Sequence, residues 1–334
     1  MQNLRNKVVV VTGASAGIGR AIAIAFAREG AHVAALARDK DRLAGLCLQI
    51  KNTCLVQSLA LPTDVADYEQ VEIAAERVEK LLGPIDVWVN NAMVTVFSPF
   101  IEMSAEEFRR VTEVTYLGTV YGTMAALKRM RPRNHGHIVQ IGSALAYQAI
   151  PLQSAYCGAK HAIRGFTNAV RAELLHDNID IPVSMIQLGA FNTPQFEWAR
   201  TKLKYHPQPL PPIFQPELAA TATVEAVKQR RREVWVAFSA MKVIVGGKLF
   251  PGLLEKLSAR KAYEGQFTDE ILEHPREGNL FKTVQGDYGI YGRFGKKSHD
   301  NSLQLWMSLH KTPVITGIVV VIVGVIIALA FGIT

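Results

Sequence analysis

The chain has 334 residues, 49% of them hydrophobic and 20% charged, which is the composition of a globular protein with a sizeable core and excludes a largely disordered chain. Its formal net charge of +8 lies in short scattered runs, such as residues 128–133 and 228–232, so we predict solvated loops and no nucleic-acid partner. The three cysteines form an odd number without metal-ligand spacing, so we predict no metal site and a reducing environment.

The first predicted element is a buried strand in KVVVVTG, residues 7–13, and the residues before it show no apolar stretch of signal-peptide form. This strand runs into a glycine turn and a helical pattern, TGASAGIGRAIAIAFAREG. In that context Gly13 permits a tight turn, Gly17 lets the backbone approach a pyrophosphate at the helix N-terminus, and Gly19 allows close helix–sheet packing. The pattern predicts a dinucleotide-binding site, whereas glycines alone would indicate only a turn. The predicted contacts are Gly13, Ser15, Ala16, Gly17, Ile18, Gly19 and Arg20.

The end of the second predicted strand, in the sequence LARDKDR, indicates which dinucleotide is bound. An acidic residue there would bind the adenosine ribose hydroxyls, but Ala37 occupies that position and Arg38 follows it. Arg20 lies just beyond the glycine turn, so the two guanidinium groups are predicted to bind one 2′-phosphate, which favours NADP over NAD. Asp39 argues in the opposite direction, and an exposed loop position is the alternative interpretation of Arg38.

Apolar runs of strand length alternate with helical patterns along residues 1–240. Their hydrophobicity is continuous rather than alternating, which is typical of parallel strands that are covered on both faces. We therefore predict an α/β fold for this domain, a doubly wound, seven-stranded parallel sheet of the Rossmann type. The predicted strands lie in the segments KVVVVTG, AHVAALAR, CLVQSLALPTD, PIDVWVNNA, GHIVQIGS, IPVSMIQLG and REVWVAF.

The sequence YCGAK, residues 156–160, places Tyr156 and Lys160 one helical turn apart, so that they share one face of the helix. A free phenol has a pKa of about 10, which is too high for a base at neutral pH. A neighbouring ammonium group favours the phenolate, so we predict that Lys160 lowers the pKa of Tyr156. Ser143, at the end of a predicted strand, is placed to hydrogen-bond a substrate carbonyl and orient it toward Tyr156.

These residues together resemble the short-chain dehydrogenase/reductase family, over roughly residues 5–240. The motifs that carry the resemblance are TGxxxGxG from Thr12, Asp64-Val65 after the third strand, NNA from Asn90, a serine before YxxxK, and Thr193-Pro194 after the sixth strand.

The resemblance implies that Asp64, followed by Val65, contacts the adenine, that Asn90 supports the glycine turn beside the adenosine ribose, and that Thr193 lies at the nicotinamide carboxamide. It also implies that Ser143 binds the substrate oxygen. Tyr156 is then expected to exchange its proton with the substrate, while Lys160 holds the nicotinamide ribose.

Three positions depart from the pattern of that family. Thr115, in VTYLG, replaces an asparagine, so a proton relay from Lys160 to water is expected to be altered, and Thr115 is included among the predicted catalytic residues. Met93 replaces the glycine after NNA and is expected to narrow the pocket floor or to contact a lipophilic substrate. Leu188-Gly189 replaces Pro-Gly, which is expected to change the stiffness of the substrate loop.

The C-terminal third of the chain lacks the alternation of strands and helices. Residues 240–261 mix apolar residues with lysines and are expected either to lie on a membrane surface or cover the active-site cleft, or to pack on the body or a partner subunit. Residues 241–312 as a whole are predicted to be an extension and connector. Residues 313–334 contain an uncharged run, Val314–Ile333, of the length that spans a bilayer as a helix, preceded by basic residues that keep the catalytic domain cytoplasmic.

The leading hypothesis is therefore an NADP-dependent carbonyl reductase or alcohol dehydrogenase that is anchored by its tail and acts on a lipophilic substrate. One alternative is a membrane-tethered nucleotide-binding sensor or scaffold with little turnover. Another is a soluble reductase of small polar compounds. The resemblance also makes a homo-oligomer an expected assembly.

Overall fold

The computed structural model describes residues 3–273 and 276–310. The strands, in chain order, are β1 (Val8–Thr12), β2 (His32–Ala37), β3 (Ser58–Pro62), β4 (Ile85–Asn90), β5 (Val96–Phe97), β6 (His137–Ile141), β7 (Val183–Gln187), β8 (Ala190–Phe191), β9 (Arg200–Thr201), β10 (Tyr205–Pro207), β11 (Ile213–Phe214), β12 (Glu233–Trp235), β13 (Phe267–Ile271) and β14 (Ser298–His299).

The helices are α1 (Gly17–Arg28), α2 (Lys40–Cys54), α3 (Tyr68–Leu82), α4 (Ala105–Thr112), α5 (Gly118–Met130), α6 (Ser154–His176), α7 (Gln195–Trp198), α8 (Pro216–Lys228), α9 (Phe238–Leu249), α10 (Pro251–Leu257) and α11 (Leu303–Leu309). A π-helical segment, Glu113–Leu117, joins α4 to α5.

A seven-stranded parallel sheet has the order β12-β7-β6-β4-β1-β2-β3. All seven predicted strands belong to it, so the predicted doubly wound α/β fold is confirmed. The chain builds outward from β1 through β2 to β3, and then returns to the other side of β1 with β4. Because the strand order reverses between β1 and β4, a crevice opens at the carboxyl ends of these two strands.

The two faces of the sheet carry separate hydrophobic clusters. Val9 and Val11 of β1 belong to the cluster beneath α1 and α8, whereas Val8 and Val10 belong to the cluster beneath α3, α5 and α6. Successive side chains of a strand point to opposite faces, so a continuous run of valines fills both clusters. This explains why the predicted strands show no alternation of polar and apolar residues.

The segment predicted as a connector folds onto the body of the protein. Strand β13 pairs antiparallel with β10, and β14 pairs parallel with β11. Helix α11 packs against α8 and places Leu305 and Leu309 in the main core. The boundaries of a separate extension at residues 241–312 stay a prediction.

Among the residues that the structure describes, no helix is both long enough and apolar enough to cross a bilayer. The uncharged run that the sequence predicts as a membrane span, residues 314–333, lies outside those residues. The membrane anchor therefore stays a prediction.

Candidate active site

The glycine turn after β1 has two positions, Gly13 and Gly19, at which any residue with a side chain would clash with the backbone. Gly13 has φ +66°, and a Cβ atom there would lie 2.7 Å from the Cα of Ala92. A Cβ atom on Gly19 would lie 2.2 Å from the carbonyl oxygen of Gly13. The turn therefore leads tightly into α1, and the N-terminus of a helix favours an anion.

Asn91 fixes this turn to the neighbouring strand. Its Nδ2 atom donates to the carbonyl oxygens of Thr12 at 2.9 Å and Gly13 at 3.3 Å, and its backbone N–H donates to the Thr12 hydroxyl at 2.9 Å. Asn91 also lines the central cavity. The NNA motif indicated an asparagine that supports the glycine turn, but the sequence prediction assigned that role to Asn90 instead of Asn91.

Asn90, which the sequence predicted for that role, lies in the core instead. Its side chain accepts from the Trp88 indole at 2.8 Å and donates to Thr123 and Gln140. Neighbouring strand residues face opposite sides. The last residue of β4 therefore points under α5, away from the glycine turn.

The arginines predicted to bind a 2′-phosphate have different positions. Arg38 lines the cavity, and its guanidinium donates to the carbonyl oxygens of Asn279, Leu280 and Phe281. Arg20 does not line the cavity, because it is paired with the Asp287 carboxylate at 2.8 Å. The prediction that Arg20 contacts the cofactor is therefore corrected: a partner from the C-terminal segment, which local sequence could not indicate, holds its guanidinium.

Arg42 is a cavity residue that the sequence analysis missed. It lies in the first turn of α2, four residues after Arg38, and is almost fully buried. The sequence RDKDR contained it, but nothing local distinguished it from an exposed helical arginine.

Ser143, Tyr156 and Lys160 line the same cavity as the glycine turn. Ser143 follows β6 and caps a short helical turn by accepting from the backbone N–H of Leu145 at 3.1 Å. Helix α6 begins at Ser154, so Tyr156 and Lys160 lie in its first two turns. The Lys160 ammonium lies 5.5 Å from the centre of the Tyr156 ring and donates to the Ile141 carbonyl oxygen at 2.6 Å.

Burial controls the proton affinities of this group. It raises the pKa of Tyr156, and the hydrogen bond with Ser143 opposes that shift without cancelling it. Burial also lowers the pKa of Lys160 to about 8. Contrary to the prediction, the net pKa of Tyr156 is raised in this structure, because desolvation of the phenolate outweighs the stabilising contacts.

Thr115 does not line the cavity, although it was predicted among the catalytic residues. Its hydroxyl donates to the carbonyl oxygen of Val94 at 3.0 Å and accepts from the N–H of Val94 at 3.2 Å. Met93 and Val94 themselves line the cavity. Thr115 therefore holds the backbone behind the cavity wall, and that position corrects the catalytic assignment.

The cavity has a volume of about 620 Å³ and extends from the glycine turn past Tyr156 to α9 and α10. Its far end is mainly apolar, with Leu210, Val243, Leu254 and Leu257 among the lining residues. The other predicted cofactor contacts also line it: Ser15, Ala16, Gly17, Ile18, Asp64, Val65 and Thr193.

A nicotinamide dinucleotide fits these residues. The glycine turn carries no side chain at Gly13, Gly17 and Gly19, so its backbone is accessible to a pyrophosphate, and the cavity continues to the Tyr156 and Lys160 side chains. Arg38 and Asp64 lie toward one end, where an adenosine would be held, and Thr193 lies beside Gly17.

Comparisons with known proteins point to one family. The family model described as short chain dehydrogenase matches residues 7–204. The uncharacterized oxidoreductase YxnA of Bacillus subtilis is 30% identical over 322 residues, which cover 96% of this chain and 89% of that protein. A 3-dehydrosphinganine reductase of Danio rerio is 34% identical over 180 residues, which cover 53% of this chain and 54% of that protein.

Among solved structures, an alcohol dehydrogenase of the archaeon Thermococcus sibiricus, complexed with 5-hydroxy-NADP, matches with a TM-score of 0.60 and 29% identity. The match covers 69% of this chain and 95% of that chain. The fold, the cavity and these matches together show that the chain belongs to the short-chain dehydrogenase/reductase family of NAD(P)-dependent oxidoreductases.

Proposed function

We propose that this oxidoreductase interconverts a carbonyl group and an alcohol at the Ser143–Tyr156–Lys160 cluster, with a preference for NADP. The observation that carries the proposal is that these three side chains and the glycine turn line one continuous cavity. The bound nicotinamide supplies or accepts the hydride.

Tyr156 holds the proton that the substrate oxygen gains on reduction. Burial raises the pKa of its hydroxyl, so the protonated form persists at neutral pH and suits a proton donor. The Ser143 hydroxyl orients the substrate oxygen toward that proton. Lys160, fixed by the Ile141 carbonyl oxygen, keeps a positive charge beside the phenol and lowers the cost of removing its proton.

The preference for NADP is supported by the end of β2. Ala37 carries no carboxylate at the position that binds ribose hydroxyls, and the adjacent Arg38 lines the cavity. Asp39 also lines the cavity, but its carboxylate is paired with the Arg42 guanidinium at 3.5 Å. After three contacts with backbone carbonyls, the planar fork of Arg38 retains N–H donors for a phosphate. The solved alcohol dehydrogenase that resembles this chain was itself complexed with 5-hydroxy-NADP.

A lipophilic substrate at a membrane is the second part of the proposal. The substrate end of the cavity is walled by apolar residues of α9 and α10. These two helices and the residue between them expose Phe238, Leu249, Phe250 and Leu253. Lys242, Lys248 and Lys256 lie in the same segment, and lysines beside a membrane surface are attracted to the anionic lipids of the cytoplasmic leaflet.

The replacement of Tyr156 by Phe tests the proposed chemistry. We expect turnover of lipophilic ketones, followed by NADPH oxidation, to fall by about 10²–10⁴-fold, because the variant lacks the donated proton. The binding of NADPH should remain. Tyr68→Phe, which changes an exposed tyrosine of α3, is the matched control.

Two outcomes would contradict the proposal. Undiminished turnover of Tyr156→Phe would remove this residue from the chemistry. Binding of NADPH by the wild-type protein, without oxidation across a wide panel of ketones and aldehydes, would favour the sensor or scaffold hypothesis.

A further inference from the structure

Residues 279–291 cross the mouth of the cofactor cleft, and we refer to them as the strap. The backbone N–H of Gly17, in the glycine turn, donates to the carbonyl oxygen of Gly289 at 3.0 Å. Asn279, Thr283 and Val284 of the strap line the cavity together with Arg38 and Asp64. The strap is therefore a wall of the cofactor cleft, contributed by a segment that the family match at residues 7–204 does not cover.

Arg42 makes the central contacts between the strap and the body of the protein. Its guanidinium donates to the carbonyl oxygens of Val284 and Gly286. The same group lies 5.1 Å from the centre of the Trp198 ring and 5.2 Å from that of Tyr288. A buried guanidinium that is held by charge-assisted hydrogen bonds and two aromatic rings fixes the strap in one position.

Arg38 and Arg20 clasp the strap on either side of Arg42. Arg38 donates to three carbonyl oxygens at the beginning of the strap, and Arg20 pairs with Asp287 near its end. Asp287 in turn accepts from the N–H of Gly289 at 2.9 Å, which sets the turn that reaches the glycine loop. Arg110 of α4 also donates to the Leu280 carbonyl oxygen at 3.4 Å, so four arginines of the body bind the strap.

We propose that the strap is the gate of the cofactor site, that a dinucleotide enters and leaves only when the strap opens, and that Arg42 is a positioning residue that sets the rate of release. The proposal rests on the proposed function, because it requires that a dinucleotide binds in this cleft. Segments that close over a ligand and must open for its release commonly limit turnover. Opening of the strap is physically feasible because the strap lines the cavity beside Arg38 and Asp64, and a small number of side chains hold it against the body.

The test is the rate at which NADPH leaves the wild-type protein and the Arg42→Ala variant, followed by NADPH fluorescence after dilution into excess NADP. We expect release from Arg42→Ala to be at least about tenfold faster, since two hydrogen bonds to a charged donor are lost. Asp287→Asn, a milder change at an exposed residue, should accelerate release to a smaller extent. Arg77→Ala, on the exposed face of α3, is the control and should leave release unchanged.

Amide hydrogen exchange supplies a readout that does not depend on catalysis. In the wild-type protein, NADPH should slow the exchange of residues 279–291, because a bound dinucleotide keeps the strap closed. In Arg42→Ala the same peptides should exchange faster, whereas β1 and β4 should be unaffected. This comparison separates an opened strap from a general loss of folding.

The outcomes distinguish the two proposals. If the wild-type protein binds neither NADPH nor NADH, the proposed function fails. If NADPH binds, and its release rate and the exchange of the strap are the same in wild type, Arg42→Ala and Asp287→Asn, the gate is overturned. If Arg42→Ala does not fold, two other measurements test the gate: the rate of NADPH release from Asp287→Asn, and hydrogen exchange of the strap in wild type with and without NADPH. A release rate equal to that of wild type, together with strap exchange that NADPH does not slow, overturns the gate.

Discussion

The proton on Tyr156 is subject to two opposing effects at the scale of a single residue. Burial disfavours the phenolate and raises the pKa, while the Ser143 hydroxyl stabilises the phenolate. Because burial is the larger effect, the phenol is protonated at neutral pH. A protonated phenol can donate a proton to a carbonyl oxygen, whereas the oxidation of an alcohol would require that this proton first be removed.

Replacement of the two adjacent asparagines should have different effects. Asn91→Ala should weaken NADPH binding by roughly tenfold, because the glycine turn loses two side-chain hydrogen bonds. Asn90→Ala should instead lower the free energy of unfolding by about 1–3 kcal/mol, because it leaves buried polar partners on Trp88 and Gln140 unsatisfied.

Fluorescence titration with NADPH and urea denaturation measure these two effects. Asn52→Ala, at an exposed position of α2, is the control for both. A larger loss of NADPH affinity in Asn90→Ala than in Asn91→Ala would show that the structural assignment of the pair is reversed.

At the scale of elements, strand β6 carries a buried ionisable side chain. His137 is buried in the sheet and hydrogen-bonded to the Ser184 hydroxyl of β7 at 2.7 Å. Burial, together with the smaller effect of the positive charge of Arg230, lowers its pKa to about 3. The same strand continues to Ser143, so the stability of β6 and the position of the candidate site are linked.

We expect His137 to make folding sensitive to acid. Its pKa in the unfolded chain is about 6.5, so the unfolded state takes up a proton first as the pH falls. The neutral histidine thus contributes fully above pH 6.5, and its contribution is lost as the pH falls toward the folded pKa of about 3. From pH 7 to pH 4.5 this loss amounts to about 3 kcal/mol.

Urea denaturation of wild type and His137→Gln at a series of pH values measures this contribution. The unfolding free energy of wild type minus that of His137→Gln should decrease by about 3 kcal/mol between pH 7 and pH 4.5. His176→Gln, at an exposed position, is the control. Stability curves of wild type and His137→Gln that run parallel over this range would contradict the expectation.

At the scale of the whole molecule, two neighbouring helical regions expose several apolar side chains. Helices α9 and α10 expose Phe250 and Leu253, and α11 exposes Leu303 and Trp306. The Gln304 amide of α11 donates to the Trp235 carbonyl oxygen at 3.1 Å, next to the start of α9, so the two regions adjoin at the β12 edge of the sheet. Large exposed apolar patches mark membrane or protein contacts, and these side chains are candidates for such a contact.

We expect the full chain to float with lipid vesicles that contain anionic lipids, and a chain ending at His310 to bind them more weakly. The reason is that the uncharged run 314–333 has the length of a membrane span, whereas surface contact alone is reversible. Flotation of both proteins, with turnover of a water-soluble ketone as the control for folding, measures this. A full chain that stays with the soluble fraction would favour the reductase of small polar compounds.

Much of the fold and part of the site could be predicted because their determinants are local. The seven strands follow from continuous apolar runs between helical patterns. The glycine turn follows from glycines at positions where a side chain would not fit. Tyr156 and Lys160 follow from the geometry of one helical turn. Ser143 joins them because β6 ends beside β4 and β7 in a parallel sheet.

The remaining decisions depended on contacts between residues far apart in the chain. Arg20 meets Asp287 across 267 positions, so its ion pair is invisible to any local pattern. The choice between Asn90 and Asn91 depends on where β4 ends, and a shift of one residue reverses the direction of a side chain. The sequence by itself determined which elements form and which chemistry they carry, through short-range periodicity and special residues. Tertiary structure decided which charged and polar groups face the cofactor cleft, because burial and distant partners set their contacts and their proton affinities.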